Sequence, residues 1–350
     1  MRILIVVPSY DTYAAVSIRM RYFINALKKR FHEDVQVYRF NLGSKVQRLA
    51  MYVLNRISQD LIDAVNQSEI VLTTTPPPLL PIALNKAKTR YVVDVRDIWE
   101  AYAEAYYPKI ITNVIVRKYY NALQDAEKLI VTTKGMKRYY EERLNVEATI
   151  IPNGSDPQII KCHEDIERED KIVFLADFNT PYQNLEPLLE VLKHTNINLE
   201  IIGDGKYLKK YLKYAERLGV LKKIRLIGRV PYDKLSKYLC RAKIGAVGRP
   251  FEHNPEYLLT IPTKVYDYMA AGLAILAWGP PNSELEELVT KNGLGYFVSK
   301  NDTDTLREYL ENLLEEYKYM GKAGRALVTR FYDRNKLSSY VVKILTLITS

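Results

Sequence analysis

Cysteine is nearly absent from the sequence, which contains two cysteines in 350 residues. Cys162 and Cys240 match no zinc-binding or redox spacing, so a zinc ribbon and a C-x-x-C oxidoreductase are excluded. A disulfide between them stays open, but two reduced thiols in a cytosolic protein are the simpler interpretation. The four histidines show neither the spacing of metal ligands nor that of a catalytic triad, and no serine nucleophile-elbow motif occurs. We therefore predict no metal site and no serine hydrolase.

Long apolar runs are also missing, since none approaches the roughly 18 residues that are needed to span a bilayer. The N-terminal residues M-R-I-L-I-V-V-P have too short an apolar core for a signal peptide. Because Pro8 and Ser9 end this run, it favours a first buried strand. Any membrane contact must then be peripheral. We predict a cytoplasmic protein, and attachment to the inner face of the membrane stays open.

The charge is unbalanced, because 51 lysines and arginines stand against 41 acidic residues, a net charge of +10. This excess favours an anionic partner, although charge alone does not name it. Many cations, opposed only by Glu216, collect in one span: Lys206, Lys209, Lys210, Lys213, Arg217, Lys222, Lys223 and Arg225. The span fits either the solvated face of a helix or an anionic membrane surface. Nucleic acid is not predicted, because no recognition motif occurs and the tyrosines are scattered.

Apolar and helical segments alternate along the chain. Continuous Val- and Ile-rich runs indicate strands that are buried on both faces of a parallel sheet. Such runs occupy 3–7, 35–40, 70–73, 91–95, 128–132, 172–175, 199–202, 224–227, 244–247, 273–277 and 295–298. A charged connector, 164–171, separates two series of them. We therefore predict an α/β fold with two doubly wound domains, 1–155 and 156–328, followed by a helical segment, 329–350.

The segment I-P-T-K-V-Y-D-Y-M-A-A-G at 261–272 predicts an anion-binding helix start. Pro262 ends a loop and precedes Thr263 and Lys264, so free backbone N–H groups and a cation converge in the first turn. Asp267 shares a helix face with Lys264 and suits ribose hydroxyls. A diphosphate joined to a ribose would match this set. The alternative is an ordinary surface lysine beside a helix-face carboxylate.

Loops that follow predicted strands of the second domain carry further candidates. Gly203, in G-D-G, permits close backbone approach and is either a structural turn or part of a nucleotide site. Gly228 and Arg229 follow another strand, where they are candidates to contact a base. Arg249, after the next strand, is either a phosphate clamp or a surface residue.

The first domain has its own strand-end candidates. The motif D-V-R-D-I-W follows a strand at 94–99, and we predict a catalytic role for Asp97 there. The alternative is an Arg–Asp pair that only anchors the loop. A D-x-D pair at Asp302 and Asp304 is similar to the metal motif of some glycosyltransferases. Because it precedes an amphipathic helix, Asp302 is better interpreted as a helix N-cap.

Together these motifs resemble the retaining glycosyltransferase family 4, in which two Rossmann-like domains of GT-B architecture face a central cleft. The match is closest to a polysaccharide and O-antigen assembly branch with R-D-x-W and P-x-K-x-x-E/D-Y motifs. The motifs span nearly the whole chain: T-T-P-P-P at 74–78, D-V-R-D-I-W at 94–99, I-P-N-G-S-D at 151–156, Y-Q-N-L-E at 182–186 and P-T-K-V-Y-D-Y-M-A-A-G at 262–272.

The resemblance implies a hexosyltransferase that needs no cofactor. Its donor substrate would be a nucleotide diphosphate sugar, and its acceptor a sugar or a lipid-linked molecule. Lys264 would bind the diphosphate, Asp267 the ribose, and the region of Arg229 the base. The final helix would cross back to the first domain, and the N-terminal loop would approach the transferred sugar.

The chain also departs from the family pattern. The E-x7-E pair of the family falls at Leu259 and Asp267, with Glu256 nearby at another offset. A loop S-Y-D-T-Y-A-A-V-S at 9–17 replaces a glycine-rich one. A GT-B sugar-nucleotide epimerase and a catalytically silent binding subunit therefore stay open as alternatives. A nicotinamide dehydrogenase is disfavoured, because no G-x-G-x-x-G follows the first strand.

Overall fold

The computed structural model describes residues 1–8, 15–41, 43–54, 57–163 and 166–349. Most of the N-terminal loop that the sequence places near a sugar, residues 9–14, lies outside these ranges. The chain forms two compact units: unit 1 is Met1–Pro152 with Arg334–Ser350, and unit 2 is Asn153–Asp333. Each unit contains one six-stranded sheet with helices around it.

All six strands of the unit 1 sheet are parallel. The strands are β1 (Ile3–Pro8), β2 (Val35–Phe40), β3 (Ile70–Thr75), β4 (Tyr91–Val95), β5 (Lys128–Val131) and β6 (Ala148–Ile150). The helices between them are α1 (Ala15–Phe31), α2 (Lys45–Leu54), α3 (Gln59–Asn66), α4 (Leu79–Lys86), α5 (Lys109–Gln124) and α6 (Lys134–Leu144). The strand order is β2-β1-β3-β4-β5-β6, so the winding reverses between β1 and β3.

The unit 2 sheet repeats this design. Its strands are β7 (Glu169–Leu175), β8 (Asn198–Ile202), β9 (Ile224–Gly228), β10 (Ala242–Gly248), β11 (Ala274–Trp278) and β12 (Gly295–Val298). Its helices are α7 (Glu186–Lys193), α8 (Leu208–Arg217), α9 (Ser236–Leu239), α10 (Pro255–Leu259), α11 (Thr263–Ala271), α12 (Glu284–Lys291) and α13 (Thr303–Leu327). The order is β12-β11-β10-β7-β8-β9, which places the reversal between β7 and β10.

The predicted α/β fold with two doubly wound sheets is confirmed. Every apolar run that predicts a strand forms one, because strands covered by helices on both faces must be apolar on both faces. Central β1, β3 and β4 are buried at every position, whereas edge strands β2 and β9 expose part of their residues. In such sheets ligands bind beyond the carboxyl ends of the strands, at the point of reversal.

The chain returns to unit 1 through its last helix, α14 (Arg334–Thr349). Leu337, Val341 and Leu345 lie on one face of α14 and are buried in the core cluster that also contains Phe23 and Leu27 of α1. Apolar residues at spacings of four mark this face in the sequence. The first and last helices of the chain therefore belong to one hydrophobic core.

The predicted pair of reduced cysteines is wrong in this structure, where Cys162 and Cys240 form a disulfide. Their Cα atoms lie 5.3 Å apart although 78 positions separate them in the sequence. Neither residue has a recognisable spacing motif, so only the fold of unit 2 brings the segment after Asp156 against the end of α9. Both cysteines are buried in an apolar cluster of unit 2, together with Ile160, Leu239 and Ala242.

The D-x-D pair is a helix cap, as the sequence predicts. Oδ1 of Asp302 accepts hydrogen bonds from the backbone N–H groups of Asp304 and Thr305, at 3.1 and 3.0 Å. These bonds satisfy donors that the first turn of α13 would otherwise leave without partners.

Candidate functional site

Lys264 is held in a buried position at the start of α11 in unit 2. Pro262 is the N-cap of this helix, and Gly272 ends it in a left-handed conformation, with φ of 69°. The ammonium group of Lys264 donates a hydrogen bond to Oε1 of Gln183, at 2.9 Å, and lies 4.4 Å from the ring centroid of Phe174. Gln183 belongs to the loop after β7. The lysine therefore meets the carboxyl end of β7, at the reversal of the unit 2 sheet.

Arg249 enters the same region from the end of β10, the other strand at the reversal. Its backbone N–H donates to the carbonyl of Trp278, at 2.9 Å. Its guanidinium donates to Oγ1 of Thr260, at 2.9 Å, and lies 3.5 Å from a carboxylate oxygen of Glu256. Within the described residues, its Nε has no acceptor. Arg249 is 6% exposed, so its charge is almost entirely withdrawn from water.

The two cations make this region strongly electropositive. Burial lowers the pKa of Lys264 well below its usual value, and the charge of Arg249 lowers it further. Glu256 is the one carboxylate that forms an ion pair with either cation among the described residues. An anion placed here would gain two charge-assisted hydrogen bonds and would also favour the charged form of Lys264. The arrangement is therefore suited to bind a phosphate group.

Asp267 lies one helical turn after Lys264 and is already hydrogen-bonded. Its Oδ1 accepts from the hydroxyl of Ser155, at 2.7 Å, and from that of Tyr232, at 3.2 Å. Ser155 also pairs with the chain at Asp333, where unit 2 ends. Asp267 thus fixes two neighbouring segments of unit 2, which is a structural role.

The glycines of the candidate site lie at the ends of β8 and β9. The backbone N–H of Gly203 donates to the carbonyl of Gly228, at 2.8 Å. A Cβ atom at Gly203 would lie 1.8 Å from the carbonyl oxygen of Ala176, so the loop after β7 can pass only over a glycine. The structural-turn alternative for Gly203 therefore has a direct physical basis. Arg229 is exposed next to this pair, and Thr263 is half-buried beside Lys264.

In unit 1, the end of β4 carries a buried ion pair. The guanidinium of Arg19 donates to both oxygens of Asp94, the shortest contact being 2.8 Å. It also donates to the carbonyls of Ile151 and Pro152, at 2.9 and 2.8 Å. This one side chain joins α1, β4 and the end of the first segment of unit 1. Asp94 is the structural partner in D-V-R-D-I-W, whereas Asp97 is half-buried two residues beyond the strand.

A carboxyl group with an altered pKa follows Asp97 in the same loop. Glu100 accepts hydrogen bonds from the hydroxyls of Tyr120 and Tyr140, at 3.2 and 3.4 Å. Burial raises its pKa to about 7, although the tyrosine hydrogen bonds oppose this shift. Glu100 therefore holds a proton close to neutral pH, in a loop that the topology places at the ligand-binding edge of the sheet.

Sequence reasoning gave no role to several residues of these clusters. Gln183 stands in the quoted Y-Q-N-L-E motif, but only the fold shows that it meets Lys264. Thr260 and Glu256 are one helical turn apart at α10, and Oγ1 of Thr260 donates a hydrogen bond to the carbonyl of Glu256. For Glu100, the one sequence feature that could have indicated a role is the adjacent R-D-I-W motif. No group of three or more metal-ligating side chains occurs in the ranges that the structure describes.

Part of the chain is similar to known protein sequences. Residues 156–327 match the sequence profile of the family Glycosyl transferases group 1. An uncharacterized glycosyltransferase of Methanocaldococcus jannaschii is 23% identical over 232 residues, which cover 63% of this chain and 61% of that protein. The match thus spans less than two thirds of this relative.

Solved structures share the fold over the full chain. Sucrose-phosphate synthase from Thermosynechococcus elongatus has a TM-score of 0.77 at 13% identity, covering 100% of this chain and 99% of that one. The Anabaena protein HepE, solved in complex with UDP-glucose, has a TM-score of 0.75 at 14% identity, with 99% of each chain covered. Such identities show the fold alone, which is the predicted two-domain GT-B fold.

Proposed function

We propose that the protein is a member of the family Glycosyl transferases group 1, whose sequence profile residues 156–327 match, and that it transfers a hexosyl unit from a nucleotide diphosphate sugar to an acceptor hydroxyl. The observation that carries this proposal is the buried pair Lys264 and Arg249 at the reversal of the unit 2 sheet. Two cations with a single carboxylate partner suit a group that carries more than one negative charge. The UDP-glucose bound by the similarly folded HepE carries a diphosphate of this kind.

The proposed chemistry depends on charge that grows on the leaving diphosphate. As the glycosidic bond breaks, the sugar approaches an oxocarbenium ion and the departing phosphate becomes more negative. Lys264 and Arg249 are fixed before the reaction by Gln183, Thr260 and Glu256, so they can stabilise this charge without rearrangement. The proposed reaction therefore needs no metal ion at the diphosphate.

Retention at the anomeric carbon is also part of the proposal. A double displacement would need two carboxyl groups about 5–5.5 Å apart on either side of the bond. Of the carboxylates near the two cations, Glu256 is already engaged by Arg249, and Asp267 is held by Ser155 and Tyr232. We therefore favour attack from the face of the leaving phosphate, which would orient the acceptor hydroxyl. Asp97 is proposed to bind the acceptor in unit 1.

Further donor contacts follow from the positions around α11. The carboxylate of Asp267 is proposed to accept a hydrogen bond from a ribose hydroxyl, while Thr263 and the first N–H groups of α11 approach the diphosphate. The loops at Gly203, Gly228 and Arg229 are proposed to lie along the base. A role in surface polysaccharide or glycoconjugate synthesis completes the proposal and rests on the motif resemblance.

A thermal-shift screen of UDP-, GDP-, ADP- and dTDP-sugars tests the donor site. The sugar nucleotide that binds the native state is expected to raise the melting temperature with concentration, and a hundredfold excess over Kd adds about 2.7 kcal/mol of stability. Inorganic chloride at equal ionic strength is the control. No shift with any of the four nucleotides would contradict the proposal.

A turnover assay with the sugar nucleotide found in this screen separates the alternatives. Release of free nucleotide diphosphate only when an acceptor is present would support transfer and exclude a sugar-nucleotide epimerase. Binding without turnover, over a panel of sugar and lipid-linked acceptors, would support a silent binding subunit.

We further propose a cytoplasmic protein that binds anionic membranes through the exposed side of α8. Within the described ranges, no helix has the length and apolarity to cross a bilayer. α8 buries Leu208, Tyr211 and Ala215 and directs its lysines to solvent. Two apolar side chains, Leu221 and Leu226, are 42% and 48% exposed in the following segment. Cations beside exposed leucines suit an acidic lipid surface.

Liposome flotation tests this surface with a charge-reversal variant, Lys206→Glu with Lys209→Glu and Lys213→Glu. Each lysine near an acidic membrane contributes about 1 kcal/mol, so we expect binding to phosphatidylglycerol vesicles at least about tenfold weaker than for the unaltered protein. A matched control reverses three exposed lysines elsewhere, Lys28, Lys300 and Lys322. Equal binding by both variants, or binding that added salt does not weaken, would remove the α8 surface from the proposal.

A further inference from the structure

Arg96, directly after β4 in unit 1, is a buried cation with few partners. It is 8% exposed. Its Nε donates to Oγ1 of Thr74, at 3.2 Å, and its backbone N–H donates to the carbonyl of Thr75, at 3.2 Å. Within the described ranges, its two terminal amino groups have no hydrogen-bond acceptor and no carboxylate lies within ion-pair distance. The guanidinium is therefore fixed at one corner, and its terminal amino groups are left to meet solvent or a ligand.

The carboxylate closest in sequence on the strand is occupied by another cation. Asp94 is bound on both oxygens by Arg19, which is 4% exposed. The hydroxyl of Thr74 donates to the carbonyl of Asp94, at 3.1 Å, so its oxygen is oriented to accept from Arg96. These bonds set the position of Arg96 without neutralising it. Below neutral pH, Glu100 also supplies no negative charge to Arg96, because its pKa is about 7 and its carboxyl group is protonated.

We propose that Arg96, positioned by Thr74, forms an oxyanion subsite that binds a phosphate or carboxylate group of the acceptor. The inference rests on the proposed transferase function and adds the chemical class of the acceptor, which would be anionic. A buried guanidinium without a counter-ion is costly, and an oxyanion that meets both terminal amino groups removes this cost. The planar fork of arginine matches both phosphate and carboxylate in a bidentate manner.

The location supports an acceptor ligand. β4 pairs with β3, and β3 is one of the two strands at the reversal of the unit 1 sheet. Ligands of doubly wound sheets bind at this edge. Asp97, the residue proposed to bind the acceptor hydroxyl, is the next residue in the chain. An anionic group held by Arg96 would place neighbouring hydroxyls of the same molecule beside Asp97.

Backbone amide NMR shifts during titration with inorganic phosphate test the subsite. In the unaltered chain, we expect phosphate to shift the amides of Thr74, Thr75 and Asp97 in a saturable manner. The affinity at these amides should fall at least about tenfold in Arg96→Gln and less in Arg96→Lys, which keeps the charge but loses the fork. Arg138→Gln removes an exposed arginine of the same unit and should leave the titration unchanged. Acetate in place of phosphate separates a carboxylate ligand from a phosphate ligand.

Two results would overturn the subsite. One is the absence of saturable shifts at these amides with either anion, and the other is unchanged affinity in Arg96→Gln when its spectrum shows a folded protein. If Arg96→Gln does not fold, the Arg96→Lys titration decides alone. Shifts of the Lys264 and Val265 amides with the sugar nucleotide report on unit 2 separately. A failed donor site and a failed Arg96 subsite are therefore distinguished in one experiment.

Discussion

Replacing Lys264 with alanine is expected to lower kcat/KM for sugar transfer by at least about 100-fold, because the leaving diphosphate loses a preorganised cation. The fold should persist, since the buried ammonium is costly and its removal leaves one amide, that of Gln183, without its partner. Steady-state transfer with the nucleotide sugar from the thermal-shift screen measures the change. Amide hydrogen exchange of β7 and β10 checks that unit 2 stays intact.

Lys291→Ala is the matched control for this variant. Lys291 belongs to the same unit, lies exposed on α12 and pairs with Glu287 at 2.9 Å. Its removal should change neither donor affinity nor turnover, because exposed ion pairs contribute little. Transfer by Lys264→Ala at the rate of the control would refute the assignment of the diphosphate to this helix start.

The depressed pKa of Lys264 adds a proton linkage to donor binding. An anion beside the amine favours its charged form, so the complex should bind a proton whenever the free amine is neutral. Calorimetry in buffers of different ionisation enthalpy would reveal this uptake as a change in apparent heat, and the uptake should vanish in Lys264→Ala.

Replacing Glu100 with glutamine is expected to stabilise unit 1 at alkaline pH. The folded pKa of Glu100, about 7, exceeds its usual value of 4.5. Between these two pH values the folded state keeps a proton that the unfolded state releases, so stability falls as the pH rises from about 4.5 to about 7. Above that window the ionised carboxylate destabilises the fold by about 1–3 kcal/mol. Glutamine does not titrate and removes this loss.

Amide hydrogen exchange in β4 and β5, at pH 5 and pH 8, measures the effect. The stability difference between Glu100→Gln and the unaltered chain should grow by about 1–3 kcal/mol between the two pH values. Glu104→Gln, in the same loop but exposed, is the control and should show no such growth. A pH-independent difference for Glu100→Gln would mean that the carboxyl ionises near its usual pKa in the folded protein.

The strands and the helix start that carries Lys264 could be predicted from sequence because both depend on local patterns. A strand such as β10 is apolar on both faces over successive residues, and the P-T-K segment combines a helix start with a lysine within one turn. The cap at Asp302 is equally local. Each of these features needs only neighbouring residues to be recognised.

The remainder depends on contacts between distant segments. Gln183 meets Lys264 across 81 positions, and Arg19 meets Asp94 across 75. The disulfide joins Cys162 to Cys240 across 78 positions, and no local pattern distinguishes a bonded cysteine from a buried thiol. The pKa of Glu100 depends on burial beneath α5 and α6, which residue type alone does not reveal. Roles that arise from burial and from long-range pairing therefore require the fold.

Unit 1 is built from two separate segments of the chain, which the ribosome makes at different times. Residues 1–152 are translated before the rest of unit 1, yet Phe23 and Leu27 of α1 share a core cluster with Leu337, Val341 and Leu345 of α14. Residues 334–349 leave the ribosome only after all of unit 2 has been translated. While unit 2 is being translated, the nascent chain thus lacks part of the core of unit 1 and exposes apolar surface, which is the state that chaperones bind. A premature stop that removes α14 would therefore leave the core built by residues 1–152 incomplete.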